Sequence, residues 1–185
     1  MKLNLGCGNN KLPGFVNVDY FKECEPDVLH NLDTLPWPWA DNSVDEIRMI
    51  HSLEHIGADS QTFLGIMKEI YRICKNGSTL IIHVPHPRHD NFIGDPTHVR
   101  IITPQLLSLF SKKLNLEWKR LGGANSPLAL YLGVDFELIE TREILDAQYA
   151  EPFNKGLLPE SDIRTMMRNF NNVVAEYHMT LRVNK

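Results

Sequence analysis

Cysteine is scarce in this sequence, and its few copies follow no recognisable pattern. Cys7, Cys24 and Cys74 are an odd number, and no two of them stand at a CxxC spacing. A disulfide framework and a cysteine-ligated structural zinc site are therefore disfavoured, and a reducing compartment is expected.

Long apolar runs and an excess of positive charge are missing as well. Stretches such as residues 79–84 fall far short of the roughly 18 to 20 apolar residues that cross a bilayer, and residues 1–6 lack a signal-peptide core. Lys and Arg number 19 against 23 Asp and Glu, which gives a net charge of −4. We expect a cytoplasmic protein without a membrane span, and the overall charge disfavours nucleic acid as a partner.

The sequence does contain an alternation of short strands and helices, without a repeat or linker that would divide residues 1–185 into two domains. Apolar runs bounded by turn residues predict strands at 2–5, 15–18, 27–30, 44–50, 78–84, 134–145 and 175–183. Helical periodicity predicts helices at 59–75, from 104 to about 110, and at 159–171. In the first of these, Asp59 or Ser60 is the expected cap, and Asn76-Gly77 the expected stop. This order favours an α/β fold with a mostly parallel sheet.

Two features at predicted strand ends indicate a nucleotide-type site. Gly6 and Gly8 follow the first strand, where glycine allows close approach of a ligand to the backbone. Lys11 replaces the third glycine of the dinucleotide fingerprint, which disfavours a pyrophosphate site. Asp19 ends the second strand, where a carboxylate can accept both hydroxyls of a ribose. A simple tight turn at the glycines and a turn-forming role for Asp19 remain open alternatives.

Several motifs together, in this order and spacing, resemble one enzyme family. They are LNLGCG at 3–8, VNVD at 16–19, LPWPWADNSVD at 35–45, HSLEH at 51–55 and KEIYRICKNG at 68–77. Over about residues 2–110 the chain resembles the class I S-adenosylmethionine-dependent methyltransferases, and most closely the methyltransferase type 11 group. The resemblance implies a Rossmann-like, mostly parallel sheet with an antiparallel C-terminal strand, S-adenosylmethionine as cofactor, and methyltransferase activity.

The resemblance also assigns cofactor contacts to particular residues. The methionine part would lie on Gly6, Cys7 and Gly8, the ribose on Asp19 beside Tyr20, and the adenine on Asn31, Leu32 and Asp33. His51 would stand near the sulfonium and the substrate, and Leu53, at the start of the short helix that follows, would be a further cofactor contact. The chain departs from the family pattern at Asn4, which replaces an acidic residue, and in the ten residues between Gly8 and Asp19, which imply a shortened or missing first helix.

Methyl transfer mainly requires alignment of the acceptor, and a base is needed only when the acceptor must lose a proton. His51 is the first candidate for that base, and His55, His86 and His98 are the next candidates. His55, His86, His98 and Arg100 are candidates for binding the substrate, and a salt bridge from Asp95 to Arg100 that merely pins the loop is an equally open explanation for the last.

The motifs of DNA-base methyltransferases are not found: no [DN]PP[YFW] sequence follows the fourth strand, and no cysteine follows a proline. A small-molecule, saccharide or lipid-linked acceptor is therefore expected, with methylation at oxygen favoured by a histidine base.

Two other functions stay open. The histidines suggest a metal-dependent hydrolase using His86, His89, Asp90 and His98, with His51 as a further candidate, although no fixed ligand spacing is present and no metal is expected. A domain that binds S-adenosylmethionine without catalysis is the second. Residues 85–103 or 146–172 are candidates for a lid, and the apolar stripe in the latter is alternatively a dimer contact, so that a monomer and a homodimer are both possible.

Overall fold

Seven strands form one mixed sheet in the computed structural model, which describes all 185 residues. The strands are β1 (Lys2–Leu5), β2 (Val16–Asp19), β3 (Val28–Leu29), β4 (Val44–Ile50), β5 (Cys74–Pro85), β6 (Phe136–Leu145) and β7 (Val174–Val183). Their order is β3-β2-β1-β4-β5-β7-β6. The first five pair in parallel, and β7 runs antiparallel to both β5 and β6. The predicted mostly parallel sheet with an antiparallel C-terminal strand is confirmed.

The helices are α1 (Ser60–Ile73), α2 (Asp90–Ile93), α3 (Pro104–Ser108), α4 (Lys112–Leu121), α5 (Leu128–Leu132), α6 (Ala147–Asn154) and α7 (Glu160–Asn169). Single 3-10 turns lie at Lys22–Cys24 and Leu53–His55. Residues 6–15, between β1 and β2, contain no helix, as the short spacing predicts. None of the helices combines the length and the hydropathy that crossing a bilayer requires.

Helix α1 forms where its periodicity predicts. The Asp59 carboxylate accepts from the backbone N–H groups of Gln61 and Thr62, and the apolar face is buried against the sheet through Phe63, Ile66, Met67, Ile70 and Ile73. The predicted end was wrong. Cys74 is already extended and pairs with Val44, while Gly77 takes its positive φ of 81° inside an irregular start of β5. The helix therefore ends at Ile73, before the predicted stop, because Cys74 is buried as the first residue of β5.

The turn after β1 passes very close to the segment that follows β4. Gly6 has a φ of 69°, and a Cβ added there would lie 2.4 Å from the Cβ of Ser52. The Ser52 hydroxyl donates to the Leu5 carbonyl at 2.8 Å, so the segments that follow β1 and β4 are held against each other. Only glycine satisfies both the left-handed backbone and the close contact.

We predict that Gly6→Ala lowers the free energy of unfolding by about 2–4 kcal/mol, because a clash with Ser52 adds to the strain of a left-handed alanine. Gly8→Ala is the matched control: φ is 47° there, but nothing lies within 4 Å of the added Cβ. That variant should lose only about 1–2 kcal/mol. Urea denaturation measures both, and equal losses would show that Ser52 moves aside without cost.

Candidate functional site

One pocket of about 440 Å³ lies at the carboxyl ends of β1, β2, β3 and β4. Nine of the residues predicted from the sequence line this pocket: Gly6, Gly8, Asp19, Tyr20, Asn31, Leu32, Asp33, His51 and His55. Four residues that the sequence analysis missed complete its lining: His30, Ser52, Ile56 and Thr97. Of the missed residues, His30 follows β3 directly and Ser52 stands between two predicted site residues, so their positions at strand ends were the available signal.

Asp19 is the last residue of β2 and is only 8% exposed. One of its carboxylate oxygens accepts from the Gly8 N–H at 2.8 Å, and the other accepts from the Phe21 N–H at 2.9 Å. Each oxygen retains capacity for one more hydrogen bond. The carboxylate is therefore fixed in position and still able to accept two hydroxyl groups.

Asn4, which replaces the acidic residue of the family pattern, belongs to a network of hydrogen bonds next to the glycine turn. The Asn4 amide donates to the Asn10 carbonyl at 2.9 Å and to the side-chain oxygen of Asn17 at 3.0 Å. Asn17 in turn donates from its backbone N–H and its amide to Asp27, and these hydrogen bonds lower the pKa of Asp27. Asn4 therefore braces residues 6–15, and it does not line the pocket.

The segment after β3 is shaped by its own side chains. The Asn31 side chain accepts from the Asp33 N–H at 3.0 Å, and the Asp33 carboxylate accepts from the Gly57 N–H at 2.8 Å. Leu32 is buried, and its carbonyl accepts from the Trp37 indole at 3.0 Å. These contacts hold the segment against the pocket, with Leu32 as its apolar wall.

Two of the predicted cofactor residues do not line the pocket. Cys7 is buried, and its burial raises the pKa of the thiol, so it stays protonated. Leu53 is fully buried in the core. The side chains of Cys7 and Leu53 therefore lie in the protein interior, next to the turns that follow β1 and β4.

His51 lies between two carboxylates and is 44% exposed. Its Nε2 is 3.4 Å from Glu176 on β7, and its Nδ1 is 3.6 Å from Glu54. The Glu176 and Glu54 carboxylates raise the pKa of His51 to about 10. Glu176 also pairs with His178 at 2.7 Å, and the two histidines lower its pKa to about 2. The imidazolium is a hydrogen-bond donor, whereas the predicted base would have to accept a proton.

Three of the four predicted substrate residues are occupied by structural contacts. His86 is buried, which lowers its pKa to about 4, and its Nδ1 accepts from the Arg88 N–H. The Arg100 guanidinium donates to the Gly57 carbonyl and lies 4.3 Å from the ring centroid of Phe63, so it forms no salt bridge with Asp95. His98 packs on Phe92 behind the pocket wall. Only His55 reaches the pocket.

The proposed hydrolase ligands are not brought together. His89 is buried and pairs with Asp146 at 3.2 Å, while its Nδ1 accepts from the Asn91 N–H. His86 and His89 therefore anchor their loop, and His98 clusters with Glu54 and His55 instead.

The candidate lid segment 146–172 folds as α6 and α7 and is tied to the histidine-rich loop. The Arg88 guanidinium donates to the carbonyls of Met167 and Arg168, and Asp90 N–H donates to the Asn172 side chain. Ile163 is buried, whereas Phe170 is 57% exposed. These residues do not line the pocket.

Comparison with solved structures identifies the fold. No protein-family model matches the sequence, and a search of curated proteins found no match. Solved structures do superpose. A SAM-dependent methyltransferase from Archaeoglobus fulgidus has a TM-score of 0.56 at 19% identity, with 98% of this chain and 85% of that chain covered. The cyclase SpnF has a TM-score of 0.53 at 16% identity, with 99% and 75% covered. The 16S rRNA methyltransferase KamB has a TM-score of 0.50 at 13% identity, with 100% and 87% covered. The chain therefore has the fold of the class I S-adenosylmethionine-dependent methyltransferases.

Proposed function

We propose that this protein binds S-adenosylmethionine and transfers its methyl group to an oxygen atom of a small-molecule, saccharide or lipid-linked acceptor. The observation that carries the proposal is the Asp19 carboxylate, held at the end of β2 beside Gly6 and Gly8 in a single pocket. In open α/β sheets, ligands bind outside the carboxyl ends of the strands, where this pocket lies.

The pocket supplies the contacts that an adenosyl compound requires. Asp19 has two free acceptor positions for the ribose hydroxyls, and the glycine turn leaves the backbone open for the methionine part. Leu32 and the exposed ring of Tyr20 offer apolar surface for the adenine. A volume of about 440 Å³ is within the range of small-molecule sites. When S-adenosylmethionine gives its methyl group to the acceptor oxygen, the C–S bond breaks, S-adenosylhomocysteine leaves, and the proton of the acceptor hydroxyl passes to solvent. The protein mainly aligns the acceptor with the methyl group.

The opposite wall of the pocket is polar and suits an oxygen-rich acceptor. His51, His55 and Thr97 face the same space as the glycine turn. We place His51 in contact with the acceptor, as a hydrogen-bonding group that lies between the carboxylates of Glu176 and Glu54. A net charge of −4 argues for an acceptor other than nucleic acid. Because the cyclase shares this fold, cofactor binding and turnover need separate tests.

We predict that S-adenosylmethionine and S-adenosylhomocysteine bind the purified chain in calorimetry. Asp19→Ala should weaken binding by roughly 1–3 kcal/mol, because it removes charge-assisted hydrogen bonds to the ribose. Tyr20→Ala should weaken it by about 1 kcal/mol through lost ring contact. Tyr131 is the matched control, since it is 73% exposed against 72% for Tyr20 and lies on α5, outside the pocket.

Unchanged affinity in Tyr131→Ala alongside losses in the other two variants is the expected pattern. Absence of binding to the unmodified protein, or wild-type affinity in Asp19→Ala, would remove the proposed cofactor. Thermal melting of each variant separates loss of binding from loss of folding, which matters for Asp19 because it also holds the Gly8 N–H.

We predict that His51→Asn lowers kcat/KM for methyl transfer about tenfold, the equivalent of one hydrogen bond of about 1.4 kcal/mol, while the Kd for S-adenosylmethionine changes little. Asparagine tolerates the φ of 52° at this position, so the backbone is kept. S-adenosylhomocysteine formation is measured with a panel of hydroxylated small molecules and saccharides, and with an RNA oligonucleotide. Equal losses in affinity and turnover would assign His51 to the cofactor, and exclusive methylation of the RNA would overturn the proposed acceptor.

A further inference from the structure

Three potential metal ligands converge beside the pocket. Glu54 and His55 belong to the 3-10 turn after β4, and His98 belongs to the loop that follows α2. One ligand atom from each lies within 4.8 Å of the other two. The rings of His55 and His98 have centroids 4.6 Å apart at an angle of 56°.

Glu54 lacks the partners that a buried carboxylate needs. It is 1% exposed, and neither of its side-chain oxygens receives a hydrogen bond from the protein. The nearest cationic group is His51, whose Nδ1 is 3.6 Å away, beyond hydrogen-bond distance. A buried carboxylate without hydrogen bonds is costly, and a bound cation compensates it.

The hydrogen bonds of His98 leave its other nitrogen free. Its Nδ1 is 2.8 Å from the Phe92 carbonyl. A carbonyl oxygen only accepts, so Nδ1 carries the proton and donates it. In the neutral imidazole, the Nε2 lone pair is then available to a metal ion.

The same argument applies to His55 through one more hydroxyl group. The Thr97 hydroxyl donates to the Asp95 carboxylate at 2.6 Å, because a carboxylate only accepts. Thr97 therefore accepts from the Nδ1–H of His55 at 3.0 Å. The Nε2 of His55 is left with its lone pair. A histidine whose second nitrogen donates to a fixed acceptor is the usual arrangement of a metal ligand.

We propose that Glu54, His55 and His98 form a binding site for a divalent first-row transition-metal ion. Two imidazoles and one carboxylate suit Zn²⁺, Co²⁺, Fe²⁺ or Mn²⁺, whereas Mg²⁺ and Ca²⁺ prefer oxygen ligands alone. Bond lengths of about 2.0–2.2 Å place the ligands of a tetrahedral ion about 3.4 Å apart, so the three ligand atoms, which lie within 4.8 Å of one another, move closer by about 1 Å when the ion binds.

The site adjoins the space assigned to the acceptor. His55 and Thr97 line the pocket, so an ion held by His55 lies at its wall. On the basis of the proposed function, the ion would bind the acceptor oxygen and orient it towards the methyl donor. Sequence spacing did not indicate this site, because Glu54 and His55 are adjacent and His98 lies in a separate loop.

The test is a metal titration of the full chain, stripped with a chelator and dialysed, in the absence of S-adenosylmethionine. Zn²⁺ is followed by calorimetry and Co²⁺ by its visible absorption. We expect one ion per chain. Glu54→Gln and His98→Gln should each weaken binding at least tenfold, and Thr97→Val, which removes the hydroxyl behind His55, about tenfold.

Glu160→Gln is the matched control for the carboxylate, because Glu160 is exposed on α7. His83→Gln is the control for a histidine outside the cluster, because His83 lies on β5 and stacks on His178. Both should bind as the unmodified protein does. No saturable binding, or full affinity in Glu54→Gln and His98→Gln, would overturn the proposal.

A measurement on the unmodified protein guards against variants that fail to fold. One equivalent of the diamagnetic ion Zn²⁺ should shift the imidazole resonances of His55 and His98 and leave those of His89 unchanged. A uniform effect on all histidines would overturn the site, and so would a protonated His98 that pairs with Asp95, 3.8 Å away, and ignores the ion. Since no cofactor is present, failure here leaves the calorimetry with S-adenosylmethionine as an independent result.

Discussion

The close contact between the ends of β1 and β4 is the constraint on which the pocket depends. The Ser52 hydroxyl donates a hydrogen bond to the Leu5 carbonyl, and Gly6 passes so close to Ser52 that no side chain fits between them. β1 pairs in parallel with β2 on one side and β4 on the other, so the residues after all three strands open on the same edge. This junction positions the glycine turn and the residues that follow β4.

Charged groups near the pocket differ in kind from those elsewhere. Outside the pocket, the Arg72 guanidinium donates to Glu69, to Asp41 and to the carbonyls of Trp37 and Trp39. The Glu69 and Asp41 carboxylates raise its pKa. Such a network stabilises the loop before β4. Around His51, by contrast, the carboxylates approach without complete hydrogen bonding. A strongly perturbed pKa beside a pocket, as at His51, marks a candidate functional residue.

The fold supports several chemistries, and the residues above the strand ends separate them. A cyclase and methyltransferases share the architecture at low identity, so the sheet alone does not select a reaction. In this chain the glycine turn and Asp19 form the side that suits an adenosyl group. On the other side, His51, His55 and Thr97 line the pocket, and Glu54 and His98 lie next to His55.

Local pattern determined much of this protein. The positions of the strands along the chain, the amphipathic α1, the missing first helix and the strand-end residues Gly6, Gly8 and Asp19 all follow from periodicity, turn chemistry and spacing, because these properties act between neighbours in the chain. Tertiary structure decided the rest. Glu176 reaches His51 only because β7 inserts between β5 and β6, and His98 joins Glu54 and His55 only because its loop packs against the turn after β4. Such contacts join residues that are distant in the sequence. The hydrogen bonds of each histidine, which its sequence position does not reveal, decide whether it anchors a loop or keeps a free lone pair.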